Sequence, residues 1–166
     1  MRHLMKLFLL ILLLISCSSE NDQTLFDSGK SFEQKEKFSD AIKNYEKIIS
    51  DYPESKFRAE VLFNLAKMYQ ARLDKSVNEL DSYKRAKKYF HMVYKEFPKN
   101  ENAASSLFMV GFIQANLLNQ LDSAKLNYEK FIQQFPNHPM VESAKAEVQN
   151  LGIPADKIIM KEERAK

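Results

Sequence analysis

The sequence predicts an all-α protein, a solenoid of about three helical hairpins closed by a C-terminal capping helix. Three observations predict it. The decapeptide NYEKIISDYP at 44–53 returns as NYEKFIQQFP at 127–136, with a looser copy, KYFHMVYKEFP, at 88–98. Glycine occurs only three times in 166 residues, too rarely for the many tight turns of a sandwich or barrel. Long stretches are rich in Ala, Leu, Lys, Glu and Gln, all of which favour helix. Self-similarity at a spacing of some tens of residues marks units that must stack on one another to bury their apolar flanks.

Residues 1–16, MRHLMKLFLLILLLIS, begin basic (Arg2, Lys6) and continue as an unbroken apolar run from Leu7 to Ile15. That run is too short to serve comfortably as a permanent membrane span, so it reads as a secretory signal and lies outside the fold. Leu14-Ile15-Ser16-Cys17 then resembles the bacterial lipobox. The resemblance implies that Cys17 is lipidated, becomes the first residue after cleavage, and anchors the chain through more than one acyl chain at about 0.8 kcal/mol per buried CH₂. Cys17 is the only cysteine, which excludes an internal disulfide and a thiol-rich metal site. Residues 17–24 read as a lipidated polar tether, and SSENDQT spans roughly 25 Å if fully extended at about 3.5 Å per residue. Ser18, standing where Asp would signal inner-membrane retention, points to the outer membrane, with the folded part facing the periplasm. Without Arg2 and Lys6, the 25 basic residues fall to 23 against 22 acidic ones. A nearly neutral chain lacks the basic footprint that nucleic acid requires.

The repeat occupies 25–152. Pro53, Pro98 and Pro136 set its register. Unit one has Leu25, Ser28, Gly29 and Phe32 on a first helix A, then Ala41, Tyr45 and Pro53 on a second helix B. Unit two has Leu62, Leu65, Ala66 and Tyr69, then Ala86, Phe90 and Pro98; unit three has Leu107, Val110 and Gly111, then Ala124, Tyr128 and Pro136. Small residues at Gly29, Ala66 and Gly111, and at Ala41, Ala86 and Ala124, allow the two helices of a hairpin to approach closely. Ile42, Tyr45, Ile48, Ile49 and Tyr52 fall at three- and four-residue intervals and form one apolar stripe, which the following proline ends. The interval from Pro53 to Pro98 exceeds the next, and the insertion is expected within Ala71–Tyr83, lengthening both helices of unit two and exposing a longer loop. A capping helix is expected from about Pro139 to Leu151, with Gly152 and Pro154 as its stop and Val141, Ala144, Val148 and Leu151 covering unit three. Residues 153–166 form a charged tail.

This order of large, Leu, small and aromatic residues on one helix, then Ala, aromatic and Pro on the next, resembles the tetratricopeptide repeat from about Asn21 to Gly152. Ser28 departs from it where Leu is preferred, Gln114 where an aromatic is preferred, and no unit carries the Trp. With the lipobox, the chain resembles bacterial envelope tetratricopeptide lipoproteins. MVGFIQ…LDSAKLNYEKFIQQFPNHP is similar to the C-terminal domain of the Tol-Pal coordination protein, while the lipid anchor is shared with the tetratricopeptide lipoprotein of the β-barrel assembly machinery. The resemblance implies a lipid-anchored scaffold or adaptor in envelope assembly or maintenance, with envelope proteins or peptides as partners. The alternative it leaves open is a chaperone-like receptor for unfolded outer-membrane substrates.

No nucleophile elbow, P-loop, dinucleotide fingerprint or paired metal-ligand motif occurs, so no enzyme, cofactor or metal is expected. His91 and His138 lack a second ligand at metal spacing and read as a helix-packing or surface residue and a loop residue. First helices of such units line a concave face, on which Phe26, Phe63 and Phe108 take equivalent places. Lys30, Lys67 and Phe112 follow one helical turn later. These six residues are the candidate peptide-binding face; packing of the phenylalanines between units is the competing expectation. Lys84, Arg85, Lys87, Lys88, Lys95 and Lys99 make helix B of unit two basic. Asp81 and Glu96 dilute this charge, so the face reads first as solvated and second as a contact for an acidic partner or anionic lipid.

Overall fold

A computed structural model describes residues 20–154 and Lys157, and these contain seven α-helices and no strand. The signal at 1–16, Cys17 and nearly all of the charged tail lie outside the described residues. The helices are α1 (Asp22–Gln34), α2 (Phe38–Asp51), α3 (Arg58–Gln70), α4 (Glu79–Glu96), α5 (Ala103–Asn116), α6 (Leu121–Gln134) and α7 (Val141–Asn150). They pair as α1/α2, α3/α4 and α5/α6, each hairpin stacked on the next and the last covered by α7. No described helix is long and apolar enough to cross a membrane.

The second helices end alike because the sequence gives them the same stop. Tyr52, Phe97 and Phe135 follow α2, α4 and α6 with φ/ψ of −129/66, −128/58 and −127/54, and each donates its N–H to the carbonyl four residues back. Each precedes a proline, whose ring excludes the helical conformation from the residue before it. The decapeptide repeat is thus the sequence of one helix end, used three times.

The N-terminal boundary lies earlier than the predicted tether at 17–24. Asn21 closes a capping box with Thr24, its Oδ1 accepting from Thr24 N at 2.9 Å and its own N–H donating to Thr24 Oγ1 at 3.0 Å, so 22–24 are helical. Ser55 Oγ donates to Asp22 Oδ2 at 2.7 Å, Tyr52 Oη donates to the Glu20 carbonyl at 2.8 Å, and Lys47 pairs with the Glu20 carboxylate. These contacts pin the chain from Glu20 onward to the first hairpin.

The insertion also departs from expectation. It does not lengthen helix A of unit two, since α3 has 13 residues against 13 in α1 and 14 in α5. It adds one turn to helix B, α4 having 18 residues against 14 in α2 and α6, and lengthens the connection over 71–78. Helix α3 cannot continue because Arg72 turns left-handed (φ 55°) and the Leu73 N–H donates back to the Met68 carbonyl at 3.0 Å. Asn78 restarts the helix by accepting from Asp81 N at 2.9 Å. The loop is not simply exposed: Asp74 is buried, accepting from Ser76 N, Ser76 Oγ and Ser39 Oγ at 3.1, 2.7 and 3.3 Å.

Two core clusters meet along α5. One spans the first two hairpins and takes Val110 and Ile113; the other joins Leu107 and Phe108 to Ala124, Tyr128 and Phe131 of α6 and to Val141 and Ala144 of α7. Helix α5, AASSLFMVGFIQAN, is apolar on nearly every side because it has neighbours on nearly every side.

Candidate functional site: the face of the first helices

The six predicted face residues do not form one open ladder. Phe26 is half-buried and stacks on Phe57, ring centroids 4.2 Å apart at 9°, with Tyr45 at 6.3 Å. Phe63 is half-buried and meets Phe90 edge-on at 5.7 Å. Phe108 is only 7% exposed, held edge-on between Tyr128 at 5.3 Å and Phe131 at 5.6 Å. Phe108 is therefore core, which corrects its expected place on an exposed face. Tyr128 and Phe131 of α6 close on its ring, and that burial leaves no surface for it to present. Phe112 is half-buried and joins both clusters.

The two lysines behave differently. Lys30 lies 3.4 Å from Glu33 and 3.6 Å from Glu60, linking α1 to α3. Lys67 is exposed, its Nζ 5.6 Å from the centre of the Phe63 ring. What remains accessible is a set of half-covered rings flanked by cations, Phe26 and Phe57 beside Lys56 and Phe63 beside Lys67. Phe57 and Lys56 were not visible in the repeat alignment because they stand in the turn before α3, outside the positions that repeat. Such rings can contact an apolar side chain of a bound segment while the ammonium groups fix its acidic neighbours.

The interface between the first two units also contains a polar network that sequence reasoning missed. Glu46 Oε1 of α2 accepts from Tyr69 Oη of α3 at 2.8 Å and from Tyr89 Oη of α4 at 3.0 Å. Arg85 donates to Tyr69 Oη at 2.9 Å and stands 3.6 Å from Glu46. Burial, and next the hydrogen bond to Glu46, push the Tyr69 hydroxyl up to about 12; burial, and then the charge of Glu46, raise Tyr89 as well. The network ties α2, α3 and α4 together through one carboxylate.

The Lys-rich face of α4 is largely engaged by the protein itself. Lys84 pairs with Asp81 at 3.7 Å, Lys87 donates to Gln120 Oε1 at 3.1 Å, and Lys88 and Lys95 lie over the rings of Tyr89 and Tyr94 at 5.8 Å each. Among the described residues, no group of three or more His, Cys, Asp or Glu side chains could hold a metal ion.

The family model for the tetratricopeptide repeat matches residues 23–55, 60–100 and 105–138, well over half of the chain. The chain belongs to the tetratricopeptide-repeat family. Each matched segment covers one hairpin but for the first one or two residues of its first helix, from α1/α2 through α3/α4 to α5/α6. No curated protein matches the chain at a significant level. A tetratricopeptide array is a protein-interaction scaffold, typically without catalytic activity, and the half-covered aromatic and cationic face of α1 and α3 suits that role.

Proposed function

We propose that this tetratricopeptide protein is a lipid-anchored scaffold of the bacterial cell envelope, holding partner proteins at the periplasmic face of the outer membrane. The observation that carries the reading is the combination of the lipobox-like Leu14-Ile15-Ser16-Cys17 with a repeat array that begins almost at once. Three residue steps separate Cys17 from Glu20, which is already fastened to Tyr52 and Lys47. At about 3.5 Å per residue those steps reach roughly 10 Å, so a lipid on Cys17 would hold the first hairpin against the bilayer surface. An array held that way presents its later units outward, where folded complexes can be gathered.

The test has two parts. Growth with radiolabelled palmitate should label the wild-type chain in the outer-membrane fraction and leave Cys17→Ser unlabelled and unanchored. A photo-crosslinking amino acid at Lys67, in intact cells, should capture folded envelope proteins. Predominant capture of unfolded barrel precursors would turn the reading into the receptor alternative, and a Cys17→Ser chain that stays lipid-labelled would overturn the anchor.

A further inference from the structure

The repeat makes the junction between units one and two comparable with the junction between units two and three. At the first, Glu46 supplies a carboxylate that Tyr69 and Tyr89 share and Arg85 approaches. Counting from Ala41, Ala86 and Ala124, and from Gly29, Ala66 and Gly111, the places at the second that match Glu46, Tyr69, Tyr89 and Arg85 are His91, Gln114, Asn127 and Ser123. Both tyrosines are thus replaced by shorter amides and the carboxylate by an imidazole. An open pocket of about 340 Å³ lies there, with Met92 and Val110 as its apolar wall and Lys87 and Lys88 at its rim.

The floor of the pocket is built. Gln114 is only 8% exposed, and its Oε1 accepts from Asn127 Nδ2 at 2.7 Å, which leaves its own amino group to donate elsewhere. No acidic residue lines the pocket, although Lys87, Lys88 and His91 all do. Burial, and then Lys95, Lys130 and Lys87, hold the His91 imidazole below its usual range. The first junction contains its own carboxylate; the second has the Gln114 amino group, cations and space, since Asn127 Nδ2 already donates to Gln114 Oε1 and to the Ser123 carbonyl.

We propose that this pocket receives a Glu or Asp carboxylate from an acidic segment of a partner protein, which takes at the second junction the part that Glu46 plays at the first. The charge of the pocket selects the carboxylate, and Met92 and Val110 accommodate the methylene stem. Lys88 and His91 are exposed and stand on the rim, so each can reach an incoming anion without rearranging the core. The inference deepens the scaffold reading by placing a contact on a surface separate from the face of Phe26 and Phe63, and it rests on that reading only for the partner being a protein.

The probe is the peptide acetyl-Gly-Glu-Glu-Gly-amide, with its Gln-Gln counterpart as control, titrated into the full chain in detergent micelles while the His91 ring and Gln114 side-chain amide signals are followed by NMR. The acidic peptide should shift both signals and the Gln-Gln peptide neither. Lys88→Ala and His91→Gln should each weaken binding about fivefold or more, whereas Lys99→Ala, an equal loss of charge away from the pocket, should leave it unchanged. The combined change His91→Glu, Gln114→Tyr and Asn127→Tyr, which supplies the carboxylate and both tyrosines of the first junction, should abolish binding; if that variant does not fold, the rim variants decide. Equal binding of both peptides, or equal loss with Lys99→Ala, would overturn the proposal. So would phosphatidylglycerol vesicles shifting these signals where the acidic peptide does not. Unchanged peptide binding by both Lys88→Ala and His91→Gln would likewise overturn it, and partners still captured through Lys67 would then leave the scaffold reading standing.

Discussion

Gly29 and Gly111 stand at the same place in their units, yet they do not do the same thing. A Cβ on Gly29 would overlap Tyr45 Cε1 and lie 2.9 Å from Cδ1, and Tyr45 cannot give way because it is fully buried and its hydroxyl donates to Glu33 Oε2 at 2.6 Å. A Cβ on Gly111 would sit 3.0 Å from Tyr128 Cδ1, whose ring is held by packing alone: Glu147 is near enough to help burial raise its pKa, but accepts no hydrogen bond of good geometry. Gly29→Ala is therefore expected to cost about 2–3 kcal/mol through overpacking. Gly111→Ala should lie within about 1 kcal/mol of the wild type, because the helix-propensity gain offsets a milder clash. Urea denaturation followed by circular dichroism checks the order, and a Gly111→Ala loss as large as that of Gly29→Ala would refute the distinction. Unit two has Ala66 and Phe90 at the corresponding places, an aromatic without a hydroxyl beside a residue that already carries the Cβ. The need for small residues was legible in the alignment of Gly29, Ala66 and Gly111. The tie from Tyr45 to Glu33 was not, because it depends on the distance between two helices.

At the scale of the element, all three first helices end in a left-handed residue that is not glycine: Glu36 (φ 56°), Arg72 (φ 55°) and Asn119 (φ 50°). Two of them close Schellman motifs. The Lys37 N–H donates to the Phe32 carbonyl at 2.9 Å, and the Leu73 N–H donates to the Met68 carbonyl at 3.0 Å. A side chain in this region costs energy that glycine avoids, and asparagine tolerates it better than other residues do. Glu36→Gly and Arg72→Gly should each stabilise the protein by about 0.5–1 kcal/mol, with Asn119→Gly smaller, as read from urea midpoints. Unchanged or lowered midpoints for both would mean that Glu36 and Arg72 make contacts worth more than the strain. These helix ends were hidden in the sequence because no glycine marks them, whereas the ends of the second helices were plain because proline does. The insertion in unit two was located correctly to 71–83 but divided wrongly between the helices. What decided it was the Asp74 turn, which a composition of Asp, Ser and Asn permits without specifying.

For the whole molecule, four tyrosines couple the stacking of hairpins to pH. Burial first, and then Glu33 for Tyr45, Glu46 for Tyr69 and Tyr89, and Glu147 for Tyr128, raise the hydroxyl pKa values above the ordinary 10, Tyr69 to about 12. The unfolded chain ionises its tyrosines near 10, while the folded chain keeps these four neutral. Their contribution to stability is therefore complete below pH 10 and is lost as pH rises from 10 through the folded values. Alkaline titration should show tyrosinate absorbance from these four appearing together with loss of helical circular dichroism, in one transition above pH 10. Ionisation of all seven tyrosines near pH 10, with the helical signal intact, would show that the four are accessible to solvent.

The sequence by itself determined the number of hairpins, their order, the prolines that end each second helix and the capping helix, because each depends on residues a few places apart along one helix. It did not determine which of three equivalent phenylalanines would be covered. Phe26 and Phe63 are half-buried while Phe108 is enclosed, because Tyr128 and Phe131 of α6 close on its ring. Nor did it determine that Glu46 would meet Tyr69 and Tyr89 from two other helices while His91 would overlook a pocket. Those facts belong to the packing of one unit on the next, where residues more than twenty positions apart share a few ångströms.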